Sequence, residues 1–366
     1  MKVAFDALER AYGSIEDEAN EAALRVLRSG KYILRENVKL FEQEFAEFCG
    51  ARYAVGISSG TEALHLALVA CGIGQGDEVI TTTHTYIATA FAISYTGARP
   101  VLVDVDPESY TIDVEQIKEV ITSKTRAIMP VHLCGQCADM DPLLELAKKY
   151  KLRVIEDAAQ AHGATYKGQT AGSMGNIGCF SFYPVKNLGA CGDGGAVITN
   201  DKDLFEKLRM LRYMGQKVKY TNLVIGYQQR LDEIQAAILR VKLKHLPDWN
   251  EKRCQWARLY DQLLTGVDGI QPKTKEYNKH VYHLYVIRVE ERDSFRSNLE
   301  KHGIETQIHY PKAIHQQPAY SSLGYSAGAF PVTEELIKKI VSLPMHPHLT
   351  EDEVKYVAQT IREILN

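Results

Sequence analysis

The sequence lacks the features that mark several large classes of protein. Its 366 residues carry a formal net charge of −3, which gives no reason to expect nucleic acid or an anionic membrane as a partner. A run of about 18 apolar residues, as a membrane-spanning helix needs, is missing. The N-terminal stretch "MKVAFDALERAYGS" has no long apolar segment of the signal-peptide kind. We therefore expect a cytoplasmic protein that binds neither nucleic acid nor membranes.

Cysteine is sparse and unpaired in its pattern. Seven cysteines, an odd number, are scattered along the chain, which favours reduced thiols over a disulfide framework. Cys134 and Cys137 form one C-x-x-C, but a redox or zinc role would need a second pair or a thioredoxin-like context. His346 and His348 in "MHPH" are an equally weak metal signal. We predict no metal site.

Seven short apolar runs alternate with helical patterns in the first two thirds of the chain. They read "YAVGI", "EVITTT", "PVLVDV", "RAIMPV", "LRVIED", "GCFSFY" and "GAVIT". Near-continuous apolar strands separated by helices predict a mostly parallel sheet that is covered on both faces. In such α/β sheets, ligands bind beyond the carboxyl ends of the strands. The polar residues that follow these runs are therefore the candidates for a functional site.

The pattern changes near Pro247, at the end of a helical stretch from Arg230 to Leu246. Beyond it come a helix, short strands and a final helix. We predict a large α/β domain over residues 14–247, with a mostly parallel seven-stranded sheet flanked by helices. A smaller C-terminal α+β domain is expected over residues 248–366, joined by residues 1–13.

One lysine stands out in the stretch "FSFYPVKNLGACGDGGAVITN". Lys186 lies between a predicted strand and a glycine-rich loop, with Ser181 near the end of that strand. A buried ammonium is costly unless it is paired or made neutral. A solvated loop lysine is the simple interpretation. The alternative is a desolvated lysine of lowered pKa that acts as a nucleophile and forms a Schiff base.

Two other strand ends carry residues that suit the second interpretation. Ser59, Gly60 and Thr61 begin a helix, where free N–H groups and the helix dipole favour a phosphate, although an ordinary N-cap explains the motif equally well. Asp157 follows an apolar strand, as an N-cap or as the partner of a cation. Phosphate cradle, carboxylate and lysine together are what pyridoxal 5'-phosphate (PLP) requires. No G-x-x-x-x-G-K-[ST] or dinucleotide fingerprint competes with this prediction.

Nearly the whole chain resembles the DegT/DnrJ/EryC1/StrS sugar aminotransferases, PLP enzymes with the aspartate aminotransferase fold (fold type I). The resemblance is carried by "SGKYIL", "FEQEFAEFCGARYAVGISSGTEALHLAL", "HTYIATAFAI", "VIEDAAQAHGA", "FSFYPVKNLGACGDGGAVIT", "RLDEIQAAIL" and "ETQIHYPKAIHQQPAY". It implies that Lys186 is the Schiff-base lysine and moves the proton, and that Asp157 pairs with the pyridine nitrogen. The further cofactor contacts it implies are Gly60, Thr61 and Ser181 at the phosphate, Tyr86 stacked on the ring, and Gln160 near the ring hydroxyl. Plain core packing is the alternative for Tyr86.

The resemblance also implies where substrate and a second subunit would bind. Tyr183, His309, Tyr310 and, less directly, His315 match the part of the site that faces a sugar nucleotide. Family members are homodimers with active sites at the subunit interface. Many relatives read "NSRLDE" where this chain reads "GYQQRLDE", so Gln228 is the candidate for the phosphate contact to the neighbouring subunit. Arg35 stands where relatives often have glycine, and it would meet a nucleotide phosphate or point into solvent.

The function implied by the resemblance is transamination from L-glutamate to a nucleotide-linked keto sugar. The stretch "PVHLCGQCADMD" is most similar to enzymes that aminate C3 of a dTDP-linked 3-keto-6-deoxyhexose. Alternatives are a 4-keto sugar nucleotide or a keto-inositol as acceptor, or a regulatory homologue without turnover. Relatives that dehydrate deoxysugars carry histidine in place of the lysine, so Lys186 argues against that reaction here.

Overall fold

The computed structural model describes residues 1–267 and 274–365, and its main element is a seven-stranded sheet. The strand order is β1-β9-β8-β5-β4-β2-β3, and only β9 runs antiparallel to its neighbours. The predicted mostly parallel α/β sheet is confirmed. The strands along the chain are β1 (Tyr53–Ile57), β2 (Glu78–Thr82), β3 (Arg99–Val103), β4 (Thr125–Met129), β5 (Arg153–Asp157), β6 (Thr165–Tyr166), β7 (Gln169–Thr170), β8 (Ile177–Ser181), β9 (Gly195–Thr199), β10 (Gln216–Val218), β11 (Thr221–Asn222), β12 (Asn278–Lys279), β13 (Tyr285–Arg288) and β14 (Ile340–Leu343).

Helices cover both faces of this sheet, as its near-continuous apolar strands require. On one face, α4 is buried on nearly all sides against β8 and β9; on the other, α3, α7 and the first part of α9 pack over β1, β5 and β8. The helices are α1 (Leu8–Gly13), α2 (Glu16–Ser29), α3 (Glu36–Cys49), α4 (Gly60–Ala70), α5 (Ala88–Tyr95), α6 (Val114–Val120), α7 (Met140–Tyr150), α8 (Lys202–Leu211), α9 (Glu233–Leu263), α10 (Arg292–Lys301), α11 (Pro331–Lys339) and α12 (Glu351–Leu365), with short 3-10 turns at Leu133–Gly135, Ile314–Gln316 and Pro318–Leu323.

The helix predicted to end at Leu246 is longer than expected. α9 runs for 31 residues, from Glu233 to Leu263, with Pro247 inside it. Proline removes one backbone donor and usually ends a helix. Here the apolar face continues on both sides, because Leu246 packs in the sheet core while Ala257 and Tyr260 pack in a second core. Burial of that face outweighs the local penalty of the proline.

That second core belongs to the C-terminal part of the chain. It joins the second half of α9 to β13, β14, α10 and α12, and it also takes in Val3 from the N-terminus. These contacts support the proposed division into residues 14–247 and residues 248–366 with 1–13, although α9 crosses the boundary without a linker. Of the residues assigned to the smaller domain, 268–273 and 366 lie outside the described part. Within the described ranges, no helix combines the length and the apolar character needed to cross a bilayer.

Candidate active site

A cavity of about 580 Å³ opens at the carboxyl ends of β5 and β8. Most of the predicted cofactor residues line it, although they come from four separate parts of the chain. The large sheet brings them together because parallel strands place their carboxyl ends at one edge. The predicted residues that line the cavity are Gly60, Thr61, Tyr86, Asp157, Gln160, Ser181, Tyr183, Lys186, His309 and Tyr310.

Lys186 projects from a tight turn that follows β8. Its backbone N–H donates to the Tyr183 carbonyl at 2.8 Å, and a Cβ on Gly189 would meet the Pro184 carbonyl oxygen at 2.1 Å, so only glycine closes this turn. The side chain is half-buried in the cavity. Burial lowers the pKa of its ammonium to about 8, against the opposing charge of Asp157. In the described structure, nothing accepts a hydrogen bond from its Nζ, which leaves the amine free for a ligand.

Asp157 ends β5 and is only 4% exposed. Thr89 Oγ1 donates to its Oδ2 at 2.8 Å, and the backbone N–H of Ala159 donates to its Oδ1 at 3.2 Å. Burial raises the pKa of this carboxyl, while the two hydrogen bonds and the charge of Lys186 oppose the rise. A buried carboxylate with so few donors is a strong acceptor for a protonated ring nitrogen. No sequence motif points to Thr89, which is 68 residues from Asp157 along the chain and adjoins it only in the folded protein.

The phosphate cradle forms where α4 begins. The first-turn N–H groups of Gly60 and Thr61 have no acceptor within the helix, and the helix dipole adds positive potential there. The Ser59 side chain caps the same turn by accepting from the Glu62 N–H at 3.2 Å. A Cβ on Gly60 would lie 2.5 Å from Ser181 Cβ. Glycine at position 60 therefore lets the Ser181 hydroxyl lie close to the start of α4. The N-cap made by Ser59 and the proposed phosphate cradle are thus compatible.

Gln160 and two tyrosines form one wall of the cavity. The Cys134 N–H donates to Gln160 Oε1 at 2.7 Å, and Gln160 Nε2 donates to the Tyr310 hydroxyl at 3.0 Å, which orients the amide. Tyr86 is 56% exposed, and its ring centroid lies 5.6 Å from that of Tyr310. Plain core packing is thus wrong for Tyr86, since its ring faces the cavity and solvent. The C-x-x-C loop contributes a backbone donor to this wall through Cys134.

Of the predicted substrate residues, Tyr183, His309 and Tyr310 line the cavity, whereas His315 and Arg35 do not. Tyr183 is 55% exposed at the cavity mouth. His309 is half-buried, its Nδ1 lies 2.9 Å from Ser342 Oγ, and burial together with the charge of Lys186 lowers its pKa to about 4. His309 is therefore a neutral imidazole at physiological pH.

His315 does not reach the cavity, and its prediction as a substrate contact is corrected. It is buried against Phe330, with its ring nitrogens 2.8 Å from Thr83 Oγ1 and 3.2 Å from Glu334 Oε1. These contacts give it a structural role between β2 and α11.

Arg35 and Gln228 also lie away from this subunit's own cavity. Arg35 is exposed, lines a separate groove of about 1440 Å³, and donates its backbone N–H to Glu233 Oε1 at 2.6 Å. Gln228 is exposed and bridges to Tyr213. Neither residue lines the cavity that Lys186 and Asp157 share.

The geometry of these residues fits PLP. A free amine of lowered pKa, a buried carboxylate and a helix N-terminus kept open by Gly60 converge on one cavity. Lys186 would bind the aldehyde carbon, Asp157 the ring nitrogen, and Gly60, Thr61 and Ser181 the phosphate. Within residues 1–267 and 274–365, no cluster of three or more histidine, cysteine or acidic side chains could hold a metal ion.

Comparison with known proteins agrees with this geometry. The model of the DegT/DnrJ/EryC1/StrS aminotransferase family matches residues 13–362. The chain belongs to this family. Solved structures similar to the chain include cofactor-bound PLP and PMP forms. The protein is accordingly a PLP-dependent aminotransferase with the fold of that family.

Individual relatives are similar over their full length. The chain is 46% identical to the dTDP-3-amino-3,4,6-trideoxy-alpha-D-glucose transaminase of Streptomyces venezuelae, over 99% of this chain and 96% of the relative. It is 45% identical to a pleiotropic regulatory protein of Geobacillus stearothermophilus, over 99% of this chain and 98% of that protein. The crystal structure of S. venezuelae DesV in complex with a ketimine intermediate superposes with a TM-score of 0.98, at 46% identity, covering 100% of this chain and 99% of that one.

Proposed function

We propose that the enzyme transfers an amino group from L-glutamate to a nucleotide-linked keto sugar. The proposed acceptor is a dTDP-3-keto-6-deoxyhexose, and the products are a dTDP-3-amino-3,6-dideoxyhexose and 2-oxoglutarate. The observation that carries the proposal is near-complete alignment, at 46% identity, with a relative named for a dTDP-3-amino sugar. A second relative, 48% identical, is also named for a dTDP-3-amino sugar. A relative at 44% identity is named for a UDP-linked sugar, so the carrier nucleotide needs a direct test.

The chain's own groups have distinct tasks in this reaction. Bound PLP supplies an electron sink that stabilises the loss of a proton from the substrate carbon. Lys186, with a pKa lowered to about 8, is partly neutral at physiological pH and can accept and return that proton. Asp157 would keep a positive charge on the ring nitrogen, and Thr89 donates a hydrogen bond that orients this carboxylate. The first turn of α4 and Ser181 would hold the phosphate.

The substrate side of the cavity suits a sugar that enters from solvent. Tyr183 and Tyr86 are both more than half exposed at its mouth, and the Tyr310 hydroxyl is held by Gln160. Aromatic rings and neutral donors such as these bind sugars through stacking and hydroxyl hydrogen bonds. His309, neutral because of its lowered pKa, provides a ring nitrogen that accepts or donates without adding charge.

A homodimer is part of the proposal. The hairpin β10–β11 and the segment after it expose apolar side chains that a lone subunit leaves in water: Val218 is 67%, Tyr220 83%, Leu223 58% and Ile225 92% exposed. Exposed apolar surface of this extent is typical of an interface. Gln228 follows this hairpin and lies away from its own cavity, which supports its assignment to the neighbouring subunit's phosphate. Arg35, which lines a separate groove, is assigned to the neighbour's nucleotide.

The regulatory name of one relative raises a second candidate, a homologue without turnover. The site favours catalysis over it. A binding-only protein has no need of an unpaired lysine with a lowered pKa opposite a buried carboxylate, and this chain retains both.

An acceptor panel tests the proposal. The PLP-loaded enzyme is incubated with nitrogen-15-labelled L-glutamate and, separately, dTDP- and UDP-linked 3-keto and 4-keto sugars and a keto-inositol. Mass spectrometry then measures labelled amine in each product. We expect the highest kcat/KM for the dTDP-linked 3-keto-6-deoxyhexose, and no product with Lys186→Ala. A preference for a 4-keto sugar or a keto-inositol would contradict the proposed acceptor, and no labelled product from any acceptor would favour the regulatory role.

A further inference from the structure

One buried cation in the cavity has no counter-charge. Arg253 projects from α9 and is 5% exposed, yet it lines the same cavity as Lys186 and Asp157. None of the sequence motifs points to it. Met345, whose carbonyl accepts from Arg253, and His346 line the cavity with it.

The guanidinium is fixed through one of its nitrogens only. Arg253 Nη1 donates to the backbone carbonyls of Tyr282 at 3.1 Å, His283 at 3.4 Å and Met345 at 2.7 Å. Nε is buried without a partner. Nη2 makes no hydrogen bond, and over residues 1–267 and 274–365 no carboxylate lies within ion-pair distance of this side chain.

A buried guanidinium without a counter-charge favours the binding of an anion. A buried charge is costly unless it is paired, and three neutral carbonyls compensate only one side of the group. Burial lowers the pKa of Arg253 to about 10, so it stays protonated at physiological pH. The three carbonyls hold the planar guanidinium rigid, and an orientated guanidinium with free N–H groups recognises carboxylates in a two-pronged manner.

We propose that Arg253 is the subsite for a carboxylate of the amino donor. This inference rests on the proposed aminotransferase function, and it names the group that binds the glutamate side of the reaction. Asp6 and Asp193 line the same cavity, so direct hydrogen bonds from Arg253 are needed to recognise the carboxylate. A carboxylate is small enough to reach a guanidinium that is 5% exposed, whereas a sugar diphosphate is bulkier and is better placed at the open mouth.

The first test separates the two halves of the reaction. Single-turnover kinetics measure the reaction of the PLP-loaded enzyme with L-glutamate and the reaction of the aminated enzyme with the keto sugar. For Arg253→Lys we expect kcat/KM with L-glutamate to fall by about 10- to 100-fold, because hydrogen bonds to a charged group are lost. The keto-sugar half should stay within about twofold of the unaltered enzyme. Arg258→Lys, on an exposed part of the same helix, is the matched control and should change neither half.

Binding gives a readout that does not depend on turnover. Calorimetry compares glutarate, an unreactive dicarboxylate, with its monoamide and diamide on the unaltered PLP-loaded enzyme. We expect affinity to fall with each carboxylate removed, by about tenfold or more for at least one step. In a crystal structure of the glutarate complex, a carboxylate oxygen should lie within hydrogen-bond distance of Arg253 Nη2. This test needs no variant, which matters because Arg253 also holds three backbone carbonyls.

The inference would be overturned by an equal loss of both half-reactions in Arg253→Lys, by an affinity that does not depend on the carboxylates, or by glutarate bound away from Nη2. A loss confined to the keto-sugar half would assign Arg253 to the acceptor instead and would also refute it. If glutamate reacts normally but no keto sugar does, the proposed acceptor fails while the assignment of Arg253 stands.

Discussion

Replacement of Gly60 by alanine is predicted to damage the phosphate cradle. The added Cβ would lie 2.5 Å from Ser181 Cβ, 3.0 Å from its Oγ and 3.1 Å from its Cα, whereas carbon atoms in contact sit about 3.5–4.0 Å apart. Ser181 cannot retreat easily, because β8 is hydrogen-bonded on both sides, to β5 and β9. The start of α4 must move instead. Overpacking of this kind costs about 1–3 kcal/mol.

Two assays measure the consequence. Thermal unfolding of the cofactor-free protein should show a Tm lower by about 1–4 °C. PLP titration should show weaker binding than that loss alone explains, since the Gly60 and Thr61 amides move from the phosphate. Gly13→Ala is the control: a Cβ there meets nothing within 4 Å, and the change should be neutral or slightly stabilising. The double variant Gly60→Ala/Ser181→Gly should recover part of the loss. An unchanged Tm and PLP affinity in Gly60→Ala would refute the close-approach argument.

Three further predictions follow from named contacts. Because burial lowers the pKa of Lys186 to about 8, the rate of PLP capture by the cofactor-free protein should rise with pH around a midpoint near 8, and a midpoint near 10.5 would contradict this prediction. Between pH 8 and the ordinary pKa of 10.5, the folded state binds fewer protons than the unfolded state, so this group makes the free energy of unfolding rise with pH. Thr89→Val should weaken PLP binding by about tenfold because Asp157 loses a hydrogen-bond donor, while Thr89→Ser should keep the donor and the affinity. Equal PLP affinity in the unaltered protein and both variants would show that this hydrogen bond does not contribute to binding. Glu233→Ala should lower the Tm, because its carboxylate accepts from the N–H groups of Arg35 and Val38 at the start of α3; an unchanged Tm would count against this cap.

Much of the cofactor side of the site was accessible from the sequence. Lys186, Asp157 and Gly60 each follow an apolar run, and the carboxyl ends of parallel strands meet at one edge, so strand recognition alone placed them together. Thr89 and Arg253 were missed because each sits inside a helix with no local signature. Their meaning comes from contacts over large sequence separations, with Asp157 for one and with three carbonyls for the other.

The errors have physical causes as well. The helix was ended at Leu246 because proline is a strong local stop, yet burial of both halves of α9 in two cores outweighed it. His315 was predicted to contact the substrate because its segment resembles the family, but the resemblance does not show whether its side chain faces the cavity. The contacts of His315 with Thr83 and Glu334 turn it into the protein interior. Such choices depend on tertiary packing that spacing in the sequence does not encode.

The visible absorption of the purified, PLP-loaded protein shows whether Lys186 holds the cofactor for transamination. The spectrum would be recorded before and after addition of L-glutamate, alongside that of Lys186→Ala. We expect a band from the lysine-bound cofactor that fades with glutamate, returns when the keto sugar is added, and is absent from the variant. A band that L-glutamate leaves unchanged, or one that persists in Lys186→Ala, would contradict the assignment of Lys186 as the group that holds PLP for transamination.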